Sequence, residues 1–352
     1  MDITPYLKLM VDKKASDLFF TVGTQVKIKI EGKITSVGKT VLTSDLCKSV
    51  AYGLMNDKQI AYFEEHMECD FAIALPESDS RFRVNVFRQR GEIGVVMRLI
   101  PNKIPELDDF GLPEVLKDLI LHKRGLILMV GATGSGKSTT LAAMLNHRNE
   151  NLSGHILTIE DPVEFSHPNK KSIVNQREIG VDTFSYRNAL RSSLREAPDV
   201  ILIGEIRDRE TMEASLELCN TGHLAISTMH ANNASQAMER VVNLFPQELH
   251  KQLFMDLSLN LRAVISQRLV TGIDGMRVAA VEILINTPHI AELILKGAID
   301  ELRTAMESSG SQGVQTFDMA LFNLYKEGRI ELEEALGNAD SRTNLEAKIN
   351  FG

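Results

Sequence analysis

A glycine-rich stretch in the middle of the chain fits the pattern G-x-x-x-x-G-K-[ST] from Gly131 to Ser138. The apolar run "LILMV" precedes it and the helix-forming run "STTLAAML" follows, which is the context in which this pattern binds nucleotide phosphates. Backbone N–H groups of such a loop point at the phosphates, and the following helix adds its N-terminal dipole. The residues expected to bind phosphate are Gly131, Thr133, Gly134, Ser135, Gly136, Lys137, Ser138 and Thr139.

Within this loop, Lys137 is expected to reach the β- and γ-phosphates and Ser138 to ligate Mg²⁺. A second apolar run, "DVILIGEIRD", carries Gly204 at the position where an aspartate usually holds the magnesium shell, and Glu205 follows it. The acid is thus displaced by one residue. We expect Glu205 either to hold Mg²⁺, through water, or to orient the water that attacks the nucleotide.

A third apolar run, "HILTIEDPVEF", ends in three acids, Glu160, Asp161 and Glu164. Mutual repulsion makes such a cluster costly unless cations or hydrogen-bond donors face it. The carboxyl ends of parallel strands meet at the ligand crevice of an α/β sheet. Glu160 is therefore predicted to act as the general base for water, with Asp161 or Glu164 in support.

Two histidines flank the run "LAISTM", with His223 before it and His230 after it. A neutral imidazole at the end of a strand can donate a hydrogen bond to a γ-phosphate and report its loss. We expect His230 to be this phosphate sensor. For His223, a packed structural role fits the pattern equally well.

Phosphoryl transfer also requires a cation near the developing negative charge. Arg191 and Arg195 lie four residues apart on a predicted helix. A second set of arginines lies in the first hundred residues, namely Arg81, Arg83, Arg88, Arg90 and Arg98. For any single member of that set, a charged outer face of a sheet is the simpler explanation. Arg207 and Arg240 are expected to form salt bridges.

The composition disfavours several other classes of protein. The 352 residues carry 39 Lys and Arg against 47 Asp and Glu, and the net charge of −8 disfavours a nucleic-acid binder. The 3 cysteines are widely separated and form no C-x-x-C pair, which disfavours a zinc knuckle or a redox pair. The N-terminus lacks the apolar segment of a signal peptide, and no apolar run approaches the ~20 residues that span a bilayer. We therefore expect no direct membrane insertion.

The hydrophobic pattern changes along the chain. Residues 1–100 alternate apolar and polar positions between helical segments, which predicts a small α+β domain. Residues 101–113, "PNKIPELDDFGLP", are predicted to form a linker. From 114 to 352, short apolar strands alternate with helices, which predicts a parallel or mixed sheet covered on both faces. The pattern is helical from about residue 289, and "EEALGNADSRTNLEAKINFG" is expected to form a short helix and a tail.

Four motifs carry a family resemblance: "GATGSGKSTTLAAM", "HILTIEDPVEF", "LREAPDVILIGEIRD" and "TGHLAISTMHANN". In this order they resemble the Walker A motif, the Asp box, the atypical Walker B motif and the His box of the secretion ATPase superfamily. The stretches "RFRVNVF", "NQREIG", "RVVNLFP" and "VISQRL" are similar to those of the type IV pilus retraction ATPases, the PilT/PilU family. The resemblance covers essentially the whole chain.

This resemblance implies a RecA-like P-loop ATPase domain of the α/β class, with a smaller N-terminal α+β domain that is PAS-like. It implies ATP and Mg²⁺ as cofactors, with the nucleotide between the two domains and arginines of the first domain reaching the phosphates. The matching arginines are Arg83 and Arg98. It further implies a cytoplasmic homohexamer, associated peripherally with the inner membrane through the platform protein of the pilus machine, and no nucleic-acid partner.

Two departures from the family pattern narrow the function. The chain lacks the paired cysteines of the zinc site in assembly-type relatives, which favours retraction or an accessory role. Residues 289–297, "HIAELILKG", lack the arginines that PilT proteins carry in this stretch, and together with the longer tail they resemble PilU. Two functions stay open: a motor that powers or assists pilus retraction in twitching motility, or an accessory, nucleotide-switched ring that docks on a PilT-type paralogue. A helicase-like or DNA-packaging ATPase is disfavoured by the acidic charge.

Overall fold

The computed structural model describes residues 1–30, 32–75, 80–100 and 104–351. The chain divides into two compact units, the first comprising Met1–Lys103, Val163–Ser166 and Gly180–Asp182, and the second Ile104–Pro162, His167–Ile179 and Thr183–Gly352. Of the predicted linker, residues 101–103 lie outside the described residues, and residues 104–113 belong to the second unit. This segment contains the short 3-10 helix Leu107–Phe110.

The first unit is an antiparallel sheet with helices. Its described strands are β1 (Asp17–Phe20), β2 (Gln25–Ile30), β3 (Lys33–Val41), β4 (Glu68–Leu75), β5 (Ser80–Gln89) and β6 (Glu92–Ile100). Its described helices are α1 (Thr4–Asp12), α2 (Ser44–Leu54) and α3 (Asp57–His66). The strands lie in the order β3-β2-β1-β6-β5-β4.

Strand β5 shows why this sheet has one apolar and one polar face. Phe82 and Val84 are fully buried, whereas Arg81 and Arg83 next to them are only half-buried, as the period of two along a strand requires. The buried face packs with apolar side chains of α1, α2 and α3 in one core. Arg81, Arg83 and Arg98 therefore lie on the opposite, polar face. Arg88 lies on the helix side instead, with its guanidinium carbon 5.4 Å from the centre of the Phe63 ring and Nη2 3.0 Å from Glu64 of α3.

The second unit is built on a mixed sheet. Its described strands are β7 (Gly125–Val130), β8 (Gly154–Glu160), β9 (Ser172–Glu178), β10 (Val200–Glu205), β11 (Leu224–Met229), β12 (Leu261–Thr271) and β13 (Arg277–Ile285). They lie in the order β13-β12-β7-β11-β10-β8-β9. All neighbouring pairs are parallel except β12 with β13.

Helices cover both faces of this sheet. They are α4 (Val115–Ile120), α5 (Lys137–Asn151), α6 (Tyr186–Ser193), α7 (Arg209–Asn220), α8 (Ala234–Asn243), α9 (His250–Asn260), α10 (Pro288–Lys296), α11 (Leu302–Glu307), α12 (Phe317–Lys326), α13 (Leu332–Asn338) and α14 (Arg342–Phe351). From β7, Leu126 and Leu128 pack with α7 to α10, while Ile127 packs with α4 and α5. The prediction of a parallel or mixed sheet covered on both faces is confirmed.

The end of the chain differs from the sequence-based expectation. The expected tail is helix α14, whose Leu345 is 1% exposed and packs in one core with Phe317 of α12. The carboxylate of Asp318 accepts the backbone N–H groups of Asp340 and Ser341 just before this helix. Both anchors come from a distant helix, so the local pattern does not show them. Within the described residues, none of the helices has the length and apolar character needed to cross a bilayer.

Candidate nucleotide site

The glycine-rich loop connects β7 to α5, as the motif predicts. Gly136 has a φ of 87°, in the left-handed region, and directly precedes α5. A β-carbon at this position would lie 2.7 Å from Nε2 of Gln267, so any other residue would be strained and would displace that amide. The first turn of α5 leaves backbone N–H groups without partners inside the helix, and these can donate to an anion.

The side chain of Lys137 is folded over the loop. Its Nζ donates to the carbonyl oxygens of Gly131 and Ala132, at 2.8 Å each. Burial lowers the pKa of Lys137, and the nearby carboxylate of Glu205 acts in the opposite direction. An ammonium group has three donor hydrogens, so one remains for a phosphate oxygen. Ser138, the predicted magnesium ligand, is exposed on the first turn of α5.

The remaining loop residues differ in accessibility. Thr133 and Gly134 are exposed, Ser135 is buried, and Thr139 is half-buried. The hydroxyl of Ser135 has no hydrogen-bond partner among the described residues. The loop thus presents its backbone and its exposed hydroxyl groups to a ligand, with the Ser135 side chain beneath.

Gln267 of β12 holds the loop in place and was not among the predicted site residues. Its Oε1 accepts a hydrogen bond from the hydroxyl of Thr140 at 2.8 Å, and its Nε2 donates to the carbonyl oxygen of Ser135 at 2.8 Å. The side chain is 2% exposed. The signal in the sequence was a glutamine inside the apolar run "AVISQRLV", a pattern that indicates a buried amide with specific partners.

Glu205 and His230 lie together at the carboxyl ends of neighbouring strands. Nε2 of His230 is 3.2 Å from Oε1 of Glu205. The other carboxylate oxygen of Glu205 accepts from Nε of Arg207 at 2.7 Å, so the salt bridge expected of Arg207 is formed. The Glu205 side chain is 17% exposed and the His230 side chain 46% exposed. Arg207 and burial therefore hold the Glu205 carboxylate in place, while the His230 imidazole remains accessible to a ligand.

Tyr186 explains why the acid follows a glycine. A β-carbon on Gly204 would lie 2.5 Å from the hydroxyl oxygen of Tyr186, so an aspartate fits there only if Tyr186 moves. The register between β10 and β11 shifts at this point, and Glu205 pairs with Thr228. Burial, together with the carboxylates of Asp161, Glu160 and Glu205, raises the pKa of Tyr186 well above its usual range. Tyr186 is thus a protonated donor beside the predicted acids, and no motif in the sequence predicted it.

Glu160 lies at the end of β8, which β11 and β10 separate from the glycine-rich strand β7 in the sheet. Its Oε1 accepts from the hydroxyl of Thr158 at 2.6 Å and from Nε2 of Gln176 at 3.4 Å. The residue is 8% exposed. Two neutral donors fix the orientation of this carboxylate.

His223 lies at the opposite end of β11 from His230. Its Nδ1 is 3.1 Å from the carbonyl oxygen of Leu218 and 3.0 Å from Oγ1 of Thr221. A strand of six residues separates the two histidines, which is ~20 Å of extended chain. Of the two roles left open for His223, the structural one fits this position.

The two arginines of the first unit that are expected to reach the phosphates have partners of their own. Arg83 and Arg98 lie directly opposite each other in the pairing of β5 with β6. Nε of Arg98 donates to Asp17 at 2.9 Å, and Nε of Arg83 is 3.9 Å from Asp70. The predicted contact of both arginines with a nucleotide stays a prediction.

Three further arginines considered above, Arg191, Arg195 and Arg240, lie in the second unit. Arg191 lines a groove between α6 and α7, together with Glu213. Arg195 is exposed just beyond α6. Arg240 lines a polar cleft with Thr133 and His230, and among the described residues it forms no ion pair, contrary to expectation.

A cleft of about 570 Å³ lies beside the glycine-rich loop and was not predicted. Gly136 and Thr139 form its floor on the side of the loop, and its apolar walls include Phe110, Leu269 and Met276. Its few charged groups include Asp274, Arg277 and Arg329. A largely apolar cavity with a few polar groups is typical of small-molecule sites, and the volume suits a nucleoside. Its walls come from separate parts of the sequence, so no local sequence pattern predicts the cleft.

The donor set fits a nucleotide with a hard cation. The free N–H groups of the loop and Lys137 suit a polyphosphate. The hydroxyl of Ser138 and the carboxylate of Glu205 are oxygen ligands of the kind that Mg²⁺ prefers. ATP and Mg²⁺ are therefore compatible with the residues present.

Comparisons with known proteins show the family of the chain. The family model described as Type II/IV secretion system protein matches residues 1–317. The type IV pilus ATPase PilU of Pseudomonas aeruginosa PAO1 is 49% identical over 353 residues, which cover 100% of this chain and 92% of that protein. PilT of the same organism, described as a type IV pilus retractation ATPase, is 44% identical, with 98% of this chain and 100% of that protein covered.

A solved structure extends the likeness to three dimensions. The crystal structure of the pilus retraction motor PilT with bound ADP superimposes with a TM-score of 0.91 at 40% identity, covering 98% of this chain and 99% of that one. This confirms the predicted fold class, a RecA-like P-loop ATPase domain with a smaller N-terminal PAS-like domain. The chain belongs to the Type II/IV secretion system protein family, and within it to the PilT/PilU secretion ATPases.

Proposed function

We propose that this protein hydrolyses ATP to ADP and phosphate and uses the reaction to power or assist the retraction of a type IV pilus. The observation that carries the proposal is the pair formed by Glu205 and His230. Oε1 of Glu205 and Nε2 of His230 lie 3.2 Å apart at the ends of β10 and β11, the two strands that follow the glycine-rich strand β7 in the sheet. An acid linked to an accessible imidazole beside a phosphate loop is an arrangement that can both act on a γ-phosphate and respond to its loss.

The phosphates are bound by the backbone N–H groups of the loop, the dipole of α5 and the remaining donor of Lys137. Ser138 and Glu205 are the residues that would hold Mg²⁺, directly or through water. When bound, this ion neutralises negative charge on the phosphate oxygens. The carbonyl oxygens of Gly131 and Ala132 hold Nζ of Lys137 over the loop, where its remaining hydrogen can reach a phosphate oxygen.

Glu160 accepts the proton of the attacking water in this proposal. Thr158 and Gln176 hold one of its oxygens, so the second oxygen keeps a defined direction. Glu205 either shares in holding the cation or orients the water. A neutral His230 has one N–H, which donates to the γ-phosphate while it is present and to Oε1 of Glu205 when it is lost, so the same hydrogen links the two groups.

The base and the ribose occupy the cleft beside Gly136 and Thr139. Its apolar wall, including Phe110 and Leu269, offers surface for a flat ring. The charged groups at its rim, Asp274 and Arg277 among them, are available to the ribose hydroxyls and to the edge of the base.

We further propose that the protein works as a homohexamer in the cytoplasm and associates with the inner membrane through the platform protein of the pilus machine. In this ring, Arg83 and Arg98 complete the site over the phosphates, and a PilT-type paralogue is a second partner. The support is the similarity to PilU, a type IV pilus ATPase, and to PilT, a type IV pilus retractation ATPase, together with the match of motifs along the chain. Nucleic acid and direct membrane insertion have no part in this function.

A second candidate function rests on helix α10. In place of an arginine-bearing stretch, this helix carries an exposed Leu295 and an ion pair between Glu292 and Lys296. An accessory ring that is switched by nucleotide and docks on a PilT-type motor, with little retraction activity of its own, is consistent with this change.

The test is ATP turnover by the purified full-length protein, with Lys137→Ala, Glu205→Gln and the control Glu213→Gln. Glu213 is an exposed acid in an i,i+4 ion pair with Arg209, remote from the loop, so its variant controls for the loss of one negative charge. The motor is supported if the wild type and Glu213→Gln hydrolyse ATP while Lys137→Ala and Glu205→Gln do not. ATP binding without turnover in the wild type supports the nucleotide-switched ring instead. Turnover retained in Glu205→Gln contradicts the site assignment.

A further inference from the structure

A cluster of charged side chains lies between the loop that follows His230 and the C-terminal helices. Its members come from β12, β13, α11, α12 and the turn between α13 and α14, and they are Arg268, Glu282, Arg303, Asp318 and Asp340. Nη2 of Arg268 is 2.7 Å from Oδ1 of Asp340, and Asp340 is only 12% exposed. Arg303 is 3.8 Å from Asp340 and 3.6 Å from Asp318. Phosphate binding and the reaction proposed above use none of these groups.

Arg268 connects the two sides of this cluster. On one side, its Nη2 donates to the carbonyl oxygen of Asn232 at 3.1 Å, two residues after His230. On the other side, its Nη1 donates to the carbonyl oxygen of Asn338 at 2.8 Å. Its guanidinium carbon lies 3.9 Å from the centre of the Phe317 ring. The guanidinium group of Arg268 is therefore held at once by the loop after His230, by the turn between α13 and α14 (the C-terminal turn) and by the face of the Phe317 ring.

The same loop has further supports on the sheet. Oε2 of Glu282 accepts the backbone N–H of Ala234 at 2.8 Å, and Glu282 is 5% exposed. The hydroxyl of Ser266 donates to the carbonyl oxygen of Asn232 at 3.2 Å. Removal of any of these partners would leave a poorly solvated backbone group with fewer hydrogen bonds, which is costly.

The C-terminal turn is itself anchored independently of the loop. Asp318 of α12 accepts the backbone N–H groups of Asp340 at 2.7 Å and of Ser341 at 3.1 Å. The turn therefore has a fixed position to which Arg268 can tie the loop.

We propose that Arg268 and Asp340 are positioning residues for His230. The C-terminal turn holds Arg268, Arg268 holds the carbonyl of Asn232, and the loop thereby keeps His230 within reach of Glu205. The effect on turnover rests on the proposed ATP hydrolysis, whereas the effect on the loop does not. The C-terminal helices are in this sense part of the machinery that sets the sensor.

Hydrogen exchange of the full-length protein tests the structural half. The amide groups of Asn232, Ala234 and Gln236 each have a side-chain acceptor, so exchange in residues 231–236 reports on the loop. We expect Asp340→Asn to accelerate this exchange ~10-fold while the peptide of β7 keeps the wild-type rate. Glu346→Gln, which removes a half-exposed acid from the Arg342 pair on α14, is the matched control and should change neither.

A second variant and the kinetic constants complete the test. Arg268→Lys keeps the charge, but an ammonium cannot serve the carbonyls of Asn232 and Asn338 and the carboxylate of Asp340 in the same geometry, so it should reproduce the faster exchange. Both variants should lower kcat ~10- to 100-fold with KM for ATP within about twofold of wild type, because the glycine-rich loop is untouched. Unchanged exchange in residues 231–236 in both variants overturns the proposal, and so does acceleration that is equally large in β7. If the wild type shows no turnover, the exchange result alone still decides the inference.

Discussion

Nε2 of His230 lies 3.2 Å from Oε1 of Glu205, across the paired strands β10 and β11. The register shift at Gly204 places Glu205 opposite Thr228, and the Thr228 hydroxyl donates to the carbonyl oxygen of Gly204 at 2.6 Å. The displaced acid is therefore directed toward β11 and its histidine. The shift of the acid from position 204 to position 205 therefore brings its carboxylate to the histidine at position 230.

The first prediction separates the two histidines. His230→Ala should lower kcat for ATP roughly 100-fold with little change in melting temperature, because an accessible donor is lost at the site. His223→Ala should instead lower the melting temperature and leave kcat per folded molecule near wild type, since its ring contacts the end of α7. Steady-state ATPase assays and thermal unfolding of both variants provide the measurements.

A third histidine serves as the control for this comparison. His289 is exposed on α10, away from both strand ends, and His289→Ala should change neither quantity. If His223→Ala lowered kcat as strongly as His230→Ala, the assignment of the sensor to the carboxyl end of β11 would be wrong.

The second prediction concerns Gln267. Its replacement by alanine leaves the hydroxyl of Thr140 and the carbonyl of Ser135 without their partner, which should cost ~2–3 kcal/mol of unfolding free energy. The loosened loop should also raise the Kd of a fluorescent ADP analogue on the order of tenfold. Gln252→Ala is the control, because Gln252 is exposed and donates to Asp256 of its own helix. An unchanged Kd in Gln267→Ala would show that β12 does not hold the loop.

The sequence predicted the features whose cause is local. The strand, the glycine turn and the helix of the phosphate loop are adjacent in the chain, so residues 126–145 contain the whole pattern that predicts them. Glu160, Glu205 and His230 at strand ends, and the glycine-rich loop with Lys137 after β7, were expected to lie along one edge because parallel strands end on the same side of a sheet. This convergence follows from topology and needs no knowledge of side-chain packing.

The sequence did not reveal the features whose partners are distant. Thr140 and Gln267 are 127 positions apart, and their contact exists only because β12 pairs with β7. The conflict between a side chain at position 204 and Tyr186 depends on how α6 packs beside β10. Helix α14 was expected to be a tail because its anchors, Asp318 and the core around Leu345, lie on other helices.

The third prediction tests the pairing of Gly204 with Tyr186. Gly204→Ala should destabilise the protein by ~1–3 kcal/mol, because the new β-carbon would lie 2.5 Å from the Tyr186 hydroxyl. Tyr186→Phe removes that hydroxyl. Adding Gly204→Ala to Tyr186→Phe should therefore lower the unfolding free energy less than adding it to the wild type. Chemical unfolding of the four proteins gives the double-mutant cycle. Strict additivity would mean that the contact with Tyr186 is not the reason for glycine at this position.

The fourth prediction concerns the dependence of stability on pH. Burial raises the pKa of Glu282 to about 7, and the Asp340 carboxylate acts in the same direction, while the N–H of Ala234 and the guanidinium groups of Arg268 and Arg303 oppose it. An unfolded glutamate has a pKa of about 4.3, so between this value and about 7 the folded protein binds more protons than the unfolded chain. The contribution of Glu282 to the unfolding free energy is therefore complete at low pH, falls as the pH rises through this window, and is constant above it.

Glu282→Gln should remove this dependence. The amide oxygen can still accept the N–H of Ala234, and a neutral side chain avoids the burial of a charge. We expect the variant to match wild type near pH 4.5 and to exceed its unfolding free energy by ~3 kcal/mol above pH 7. Glu239→Gln, an exposed change on α8, controls for the loss of one negative charge. Urea unfolding at several pH values measures the difference between variant and wild type, and a difference that stays constant with pH would show that Glu282 is not the titrating group.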